Sequence, residues 1–490
     1  MRIHTTAYLA TLLSLALAGP VLAQDTMESH GGSRSGAVIK NRAPVNDEIL
    51  KVTFPRPAEA TLSNGLQVMV LEDHFLPKVL FQILIPHGSM DDPEDMPGLA
   101  SFTADLLSEG AGAYSSREIA NRLDGMGASF YASAEFGSPV TRIQISGLSE
   151  HTRDMVSLFA TLILEPTFPP EEVDKYKARE TAALQQQRTR PGFLANERFM
   201  SALYAGHPAS VVAPTAESLA AVDPDRLKAF HATYYVPNGA ILAVTGDVTF
   251  DQIVPLLEDA FGGWQPAEPP ERVPPEIHPN DALTIDLVDR PNSVQTTLKL
   301  GNVGLTRTDP DYVAVNVLNQ ILGANASSRL FLKLREEKGY TYGAYSRFKA
   351  VSYPGPWYAG ADVRTEVTGG ALTEFLSELN KMIEVPVPEE ELENAKRAIV
   401  ARFALSLEKP QVLTARAVEL KYYGLPADYW DRYPAAVAAV TAEDIQRVAK
   451  RFLDTSKLRI VAVGDGAKIL EVLESFGPVT RYQADGTRVE

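Results

Sequence analysis

Two blocks of this sequence recur in the same order, and that recurrence constrains the fold more than any other feature. "FPPEEVDKYK" (168–177) lines up with "VPEEELENAK" (387–396). In both, proline precedes acidic residues suited to the first turn of a helix, where the macrodipole favours negative charge. Further on, "AVDPDRLKAFHATYYVPNGAILAVTGD" (221–247) lines up with "AVTAEDIQRVAKRFLDTSKLRIVAVGD" (439–465), and the offset changes by one residue between the two matches. The second block reads as helix, turn and a buried strand ending in Gly246-Asp247 or Gly464-Asp465. Two matched blocks in one register imply an internal duplication.

Each half opens with strand-like text. "LQVMVLEDHFLPKVLFQILIPHG" (66–88) is two apolar runs broken at Pro77-Lys78, and "SVQTTLKLG" (293–301) alternates with period two. Helix signals follow. Ser115, with Glu118 three residues on, forms a capping box. Strands grouped with helices, without regular βαβ alternation, predict an α+β class in which two homologous domains each lay helices over a largely antiparallel sheet. Residues 262–281 hold six prolines in twenty positions and read as an extended linker. The expected domains are therefore 48–261 and 282–476, with 477–490 as a tail.

A chain of 490 residues, 45% hydrophobic, can bury two real cores. Its formal charge of −16 argues against general affinity for nucleic acid or anionic membranes. The first 23 residues carry Arg2, an apolar run too short to span a bilayer, and Val21-Leu22-Ala23 before Gln24, the pattern of a cleaved export signal. Cleavage there leaves no membrane anchor and places the chain in a periplasm or outside the cell. Residues 24–47 are polar and aperiodic, a flexible leader. With no cysteine, neither a disulfide nor a thiol ligand or nucleophile is available. The eight histidines include no pair at i, i+3 or i, i+4 and no His-x-His.

The stretch "PGLASFTADLLSEG" (97–110) resembles the pitrilysin, insulinase and mitochondrial processing peptidase family of zinc peptidases. That family's hallmark is an inverted His-x-x-Glu-His motif in a setting such as "GLAHFLEHMLFKGT". Gly98, Leu99, Ala100, Phe102 and Gly110 fit the frame. The two zinc histidines fall on Ser101 and Asp105, and the catalytic glutamate falls on Ala104. The family's third ligand falls on Ala182 or Ala183, with Glu180 the nearest acid but out of register. Catalytic zinc needs three His or carboxylate ligands and an open position for water, and the water needs a base. The resemblance therefore implies no zinc in this chain.

"SSRLFLKLREEKGYTYGAYS" (327–346) is similar to the family's C-terminal pattern, an arginine followed seven residues later by a tyrosine across a helix-to-strand turn, here Arg335 and Tyr342. Ser327 or Ser328 can cap the helix, Gly339 suits its C′ position, and period two puts Tyr340 and Tyr342 on one face of the following strand. In the family these two residues grip the substrate backbone and help stabilise the oxyanion.

The resemblance covers residues 48–476 and implies a non-catalytic subunit that closes like half of a clamshell around a peptide. Its partner would be a paralogous chain bearing the intact motif and the zinc, forming a heterodimer. The glycine-rich loop of the mitochondrial non-catalytic subunit has no evident counterpart, since "GNVGL" (301–305) and "GANASS" (323–328) are short and read as turns. The competing expectation is a peptide-binding or assembly scaffold with no part in catalysis.

Overall fold

A computed structural model describes residues 50–489 except 272. The export signal and the leader lie outside the described residues. No described helix is long and apolar enough to cross a membrane.

The first half runs β1 (Ala58–Thr61), β2 (Gln67–Glu72), β3 (Lys78–Ile85), α1 (Leu99–Asp105), the short hairpin β4 (Gly110–Ala111) and β5 (Tyr114–Ser115), then α2 (Ser116–Gly125). It continues with β6 (Ser129–Ser133), β7 (Thr141–Leu148), α3 (Thr152–Leu164), α4 (Pro170–Arg188) and α5 (Pro191–Leu203). It ends with α6 (Ala216–Ala221), α7 (Pro224–Tyr234), β8 (Ile241–Gly246) and α8 (Phe250–Phe261). The second half opens with β9 (Thr284–Asp289), β10 (Gln295–Val303), α9 (Tyr312–Leu322), α10 (Arg329–Phe331), β11 (Thr341–Phe348) and β12 (Pro356–Arg364). Then come α11 (Thr368–Glu384), α12 (Glu389–Ser406), α13 (Pro410–Tyr422), α14 (Tyr429–Ala438) and α15 (Ala442–Phe452). It closes with β13 (Arg459–Gly464), α16 (Gly466–Glu474), β14 (Val479–Tyr482) and β15 (Arg488–Val489).

The strands form a six-stranded sheet, β1-β2-β8-β3-β7-β6, and a seven-stranded sheet, β11-β12-β10-β13-β9-β14-β15. Antiparallel pairs dominate both; β2–β8 is parallel in the first sheet, β13–β9 and β9–β14 in the second. The class is the predicted α+β, with each repeated block forming a helix followed by a central strand: α7 then β8, α15 then β13. The Ser115–Glu118 capping box is present, and the described linker residues form neither helix nor strand. Two readings are corrected. Asn302 and Val303, expected in a turn, continue β10, and residues expected as a tail add β14 and β15 to the second sheet.

Central strands are buried on both faces, which is why they read as continuous apolar runs. In β2, Val68 and Val70 face the first half's own helices, while Met69 and Leu71 join the core of the second half. In β13, Ile460 and Ala462 face the second half's helices, and Val461 and Val463 meet Leu194, Ala195, Phe199 and Leu203 of α5. The two halves exchange cover. Helix α5 lies across β13, β10 and β9 of the second sheet, and α13 lies across β8 and β3 of the first.

Polar groups fix the register of that exchange. Arg198 of α5 pairs with the buried Asp286 of β9 at 2.7 Å, Lys299 of β10 donates to Asn196 of α5 at 2.6 Å, and the Thr414 hydroxyl of α13 donates to Thr245 of β8 at 2.6 Å. The Lys299 ammonium also sits 3.9 Å from the ring centre of Tyr358 and 5.1 Å from that of Phe199. Burial pushes this ammonium down to about 8, and the nearby Arg347 charge acts in the same direction.

Phe199 has no exposed surface. Phe199→Ala is expected to lower stability by about 3–5 kcal/mol in urea unfolding, because the cavity opens between the halves. The folded state holds the Lys299 proton less tightly than the unfolded chain does, so stability should rise with pH between about 8 and the ordinary lysine value of 10.5. Lys299→Met should remove that part of the rise, measured as the urea midpoint against pH.

Candidate functional site

Helix α1 carries the positions where the family resemblance places its metal. The Asp92 carboxylate accepts from the Gly98 N–H at 2.8 Å and the Ala100 N–H at 2.7 Å, satisfying amides at the start of the helix. Leu99, Phe102 and Leu106 are buried and anchor α1 to the first core. Ala104 is buried and Ser101 half-buried; the Asp105 residue reaches solvent, while its carboxyl turns toward α4 and is partly enclosed there.

Across from α1 stands α4. The Tyr176 hydroxyl donates to Asp105 Oδ2 at 2.7 Å, and its ring meets the Phe102 ring edge-on with centroids 5.7 Å apart. Partial burial raises the Asp105 carboxyl above the ordinary range. The Tyr176 hydrogen bond opposes this, the Glu180 charge adds to it, and Arg179 opposes it. Burial also raises the Tyr176 hydroxyl. Glu180 is half-buried with Arg179 Nε 3.3 Å away, Ala183 is half-buried, and Ala182 is exposed.

These residues do not fit a catalytic zinc. Ser101 offers a neutral hydroxyl, Ala104 offers nothing, and the one carboxylate on α1 is held by Tyr176 in surroundings that favour its proton. Among the described residues no group of three or more His, Asp or Glu side chains is placed to hold a metal. Sequence reasoning missed Tyr176. The signal was available, since Tyr176, Glu180 and Ala183 follow the i, i+4, i+7 spacing of one helical face.

The second candidate region joins α10 to β11. The expected helix over "RLFLKLREEK" is α-helical only in α10 and becomes a π-helical turn over Leu332–Glu337. Ser328 occupies the N-cap position, but its hydroxyl donates to the Asn325 carbonyl at 2.6 Å and does not cap the helix. Ser327 instead bonds the Asn325 side chain. Both serines are drawn into the preceding turn. Gly339 has φ +61°, and the N–H of Tyr340 closes the turn on the Leu334 carbonyl at 2.9 Å.

Tyr340 and Tyr342 do not share a face. Tyr340 precedes the strand and rests half-buried beside Gly370 of α11, whereas Tyr342 is 86% exposed. The pairing of β11 with β12 is irregular between Thr341 and Ala344. There the Thr341 hydroxyl accepts the Gly343 N–H at 3.1 Å and donates to the Asp362 carbonyl at 2.6 Å, taking a place in the ladder. The extra residue flips the alternation. Ala344 and Ser346 point into the core, and Tyr342 joins Tyr345 and Arg347 on the open side.

The structure brings Arg335 and Tyr342 together. The guanidinium carbon lies 4.7 Å from the Tyr342 ring centre and 4.8 Å from that of Phe331, and Arg335 Nε is 3.4 Å from Glu336. Among the described residues the Tyr342 hydroxyl has no hydrogen-bond partner. A cation and a hydroxyl, side by side and open to solvent, can donate to an anionic oxygen. The pair offers no base.

Residues 67–213 match the family described as insulinase, peptidase family M16, and residues 221–399 match the peptidase M16 inactive domain. The chain is 25% identical over 360 residues to the uncharacterized zinc protease YmxG of Bacillus subtilis, covering 71% of this chain and 84% of that protein. It is 22% identical over 404 residues to the non-peptidase homolog YmxG of Helicobacter pylori, covering 82% and 92%. A crystal structure of a peptidase M16 inactive domain from Pseudomonas fluorescens superposes with a TM-score of 0.77 at 26% identity, over 84% of this chain and 98% of that one.

The raised Asp105 carboxyl gives a signed prediction. The folded chain holds this proton more tightly than the unfolded one, so ionisation of Asp105 lowers stability as pH rises above the ordinary carboxylate value of 3.8. Asp105→Asn keeps an acceptor for Tyr176 without the charge. It should raise the melting temperature at neutral pH, and the gain should vanish in acid.

Proposed function

This chain belongs to the insulinase family of M16 peptidases, and from that premise we propose that it is the non-catalytic subunit of a two-chain peptidase. In this reading residues 48–261 and the half that begins at residue 282, whose sheet β14 and β15 complete, are two peptidase-like domains joined by the 262–281 linker. The chain is exported on the strength of its first 23 residues, pairs with a paralogous subunit, and encloses a peptide with it. The observation that carries the reading is an asymmetry: the metal positions Ser101, Ala104 and Asp105 are unfit for zinc, while Arg335 remains stacked on a solvent-open Tyr342.

The water-activating metal belongs to the partner. This chain's part is binding and electrostatics. The Arg335 guanidinium is charged at any working pH and can hold a substrate carbonyl from one side. The Tyr342 hydroxyl donates to the oxygen on which negative charge develops. Stacking on Phe331 and Tyr342 restricts the guanidinium plane before substrate arrives, which limits the ordering cost on binding.

Mixing this chain with a partner that bears an intact His-x-x-Glu-His motif should produce peptide hydrolysis that neither chain shows alone. Tyr342→Phe should lower kcat of the mixture by about 10²–10³-fold, the loss typical of one oxyanion donor, with little change in subunit association. An unchanged kcat would leave the scaffold role in its place.

A further inference from the structure

Helix α5 covers only part of the second sheet. It crosses β13, β10 and β9, so the same face of β12 and β11 stays open. The register identifies what that face displays. Tyr345 lies opposite Gly360, which lies opposite Lys299; in the next row Arg347 lies opposite Tyr358, then Gly301, then Arg459. Directly opposed residues point to the same side of a sheet, so Arg347, Lys299 and Arg459 share one face with Tyr345 and Tyr358.

We propose that this open β11–β12 face docks acidic segments of the peptide, with Arg347 receiving side-chain carboxylates, Tyr345 and Tyr358 packing against their aliphatic stems, and the charge of Lys299, covered by α5, adding to the attraction from beneath. The inference rests on the reading that the chain handles peptides, and it names their charge.

Three observations support it. First, the cations lack counter-charges: among the described residues neither Arg347 nor Lys299 has a carboxylate within ion-pair distance. Lys299 is only 7% exposed, yet Asn196 is the one hydrogen-bond acceptor for its three N–H donors. Of the acids on this face, Asp286 is paired with Arg198, while Asp362, at the Thr297 row on the far side of Tyr345 from Arg347, accepts from the Thr297 hydroxyl and keeps its charge, which confines the basic strip to the Tyr358 row. Arg459 reaches Asn280 at 3.1 Å, and its Nε is buried without a partner. Second, the aromatic rings are already arranged. Tyr345 leans across Gly360, where a Cβ would lie 3.2 Å from its hydroxyl oxygen, and meets Tyr358 at 88° with centroids 6.2 Å apart. Third, a basic strip on a chain of formal charge −16 is a local attraction set against the overall field.

The test uses the full chain alone, with fluorescent peptides of one apolar composition carrying Glu, Gln or Lys at alternate positions, and reads anisotropy at low and high salt. The Glu peptide should bind about tenfold tighter than the Lys peptide at low salt, with the gap narrowing as salt rises. Arg347→Gln should weaken the Glu peptide by roughly two- to fivefold, the range of one exposed ion pair, and Arg347→Glu should reverse the preference. Equal binding of all three peptides, or a preference untouched by Arg347→Glu, overturns the proposal. So does self-association that Arg347→Glu abolishes while the peptides bind alike, since the face would then serve a second copy. No partner or turnover is needed. Charge-blind binding with an active mixture rejects this inference alone; charge-selective binding with an inactive mixture rejects the catalytic reading alone.

Discussion

Everything else in this molecule depends on the exchange of one helix between its halves. A sheet buried by its own helices on one side still presents an apolar second side, and here that side is covered by α13 in the first half and α5 in the second. The exchange is itself duplicated. "RPGFLANERF" (190–199) and "KPQVLTARAV" (409–418) start the two helices with proline at the first helical position, where no intrahelical N–H is lost. Neither half can be trimmed away without exposing the other's central strands. The placement of α5 also decides which part of the second sheet remains free. It ends over β10, so β11 and β12 keep an open face next to Arg335 and Tyr342.

At α1, where the family resemblance would place a metal, the bonding is that of a structural contact. In α1 the core-facing residues Leu99 and Phe102 and the Asp92 cap are intact, so the helix keeps its place without a metal. A single hydrogen bond from Tyr176 to Asp105 ties α1 to α4 on the side where a metal would have joined them. Partial burial holds that carboxyl toward its neutral form, which is the opposite of what a cation would require of a ligand. Asp105 serves here as a structural contact between α1 and α4.

What was legible in the sequence follows from which interactions are local. The α+β class, the central strands and the Ser115–Glu118 box are written in neighbouring residues. The exchange of α5 and α13 was not legible, because a helix that covers a distant sheet has the same periodicity as one that covers its own. At the candidate site, Arg335 and Tyr342 were singled out through the family resemblance, but two departures from regular structure around them were not legible. Period-two reasoning put Tyr340 with Tyr342, and it failed because Tyr340 lies before the strand, in the turn closed on Leu334, while the Thr341 hydroxyl enters the ladder and sets Tyr342 apart from Ala344 and Ser346. Helical reasoning gave an α-helix through Lys338, and it failed at the wider turn over Leu332–Glu337. The spacing of Tyr176, Glu180 and Ala183 on one helical face was legible, but the bond from Tyr176 to Asp105 appears only when α4 is seen against α1.

Those two departures bear on why Arg335 and Tyr342 are placed as they are. A regular α-helix running into a regular strand would be the more stable local structure, since π turns and bulges interrupt good hydrogen bonding. Regular alternation would also have put Tyr342 on the side of Ala344 and Ser346, in the core. The chain instead interrupts both elements within a dozen residues, and the product is an 86% exposed tyrosine that buries almost no apolar area and therefore adds little to the fold. Core packing does not account for a costly backbone that delivers a side chain to solvent. Local irregularity of this kind collects where a side chain must be aimed, and here it aims a hydroxyl and a guanidinium at the same open space. That expense in regular structure is the physical argument for a ligand on this face.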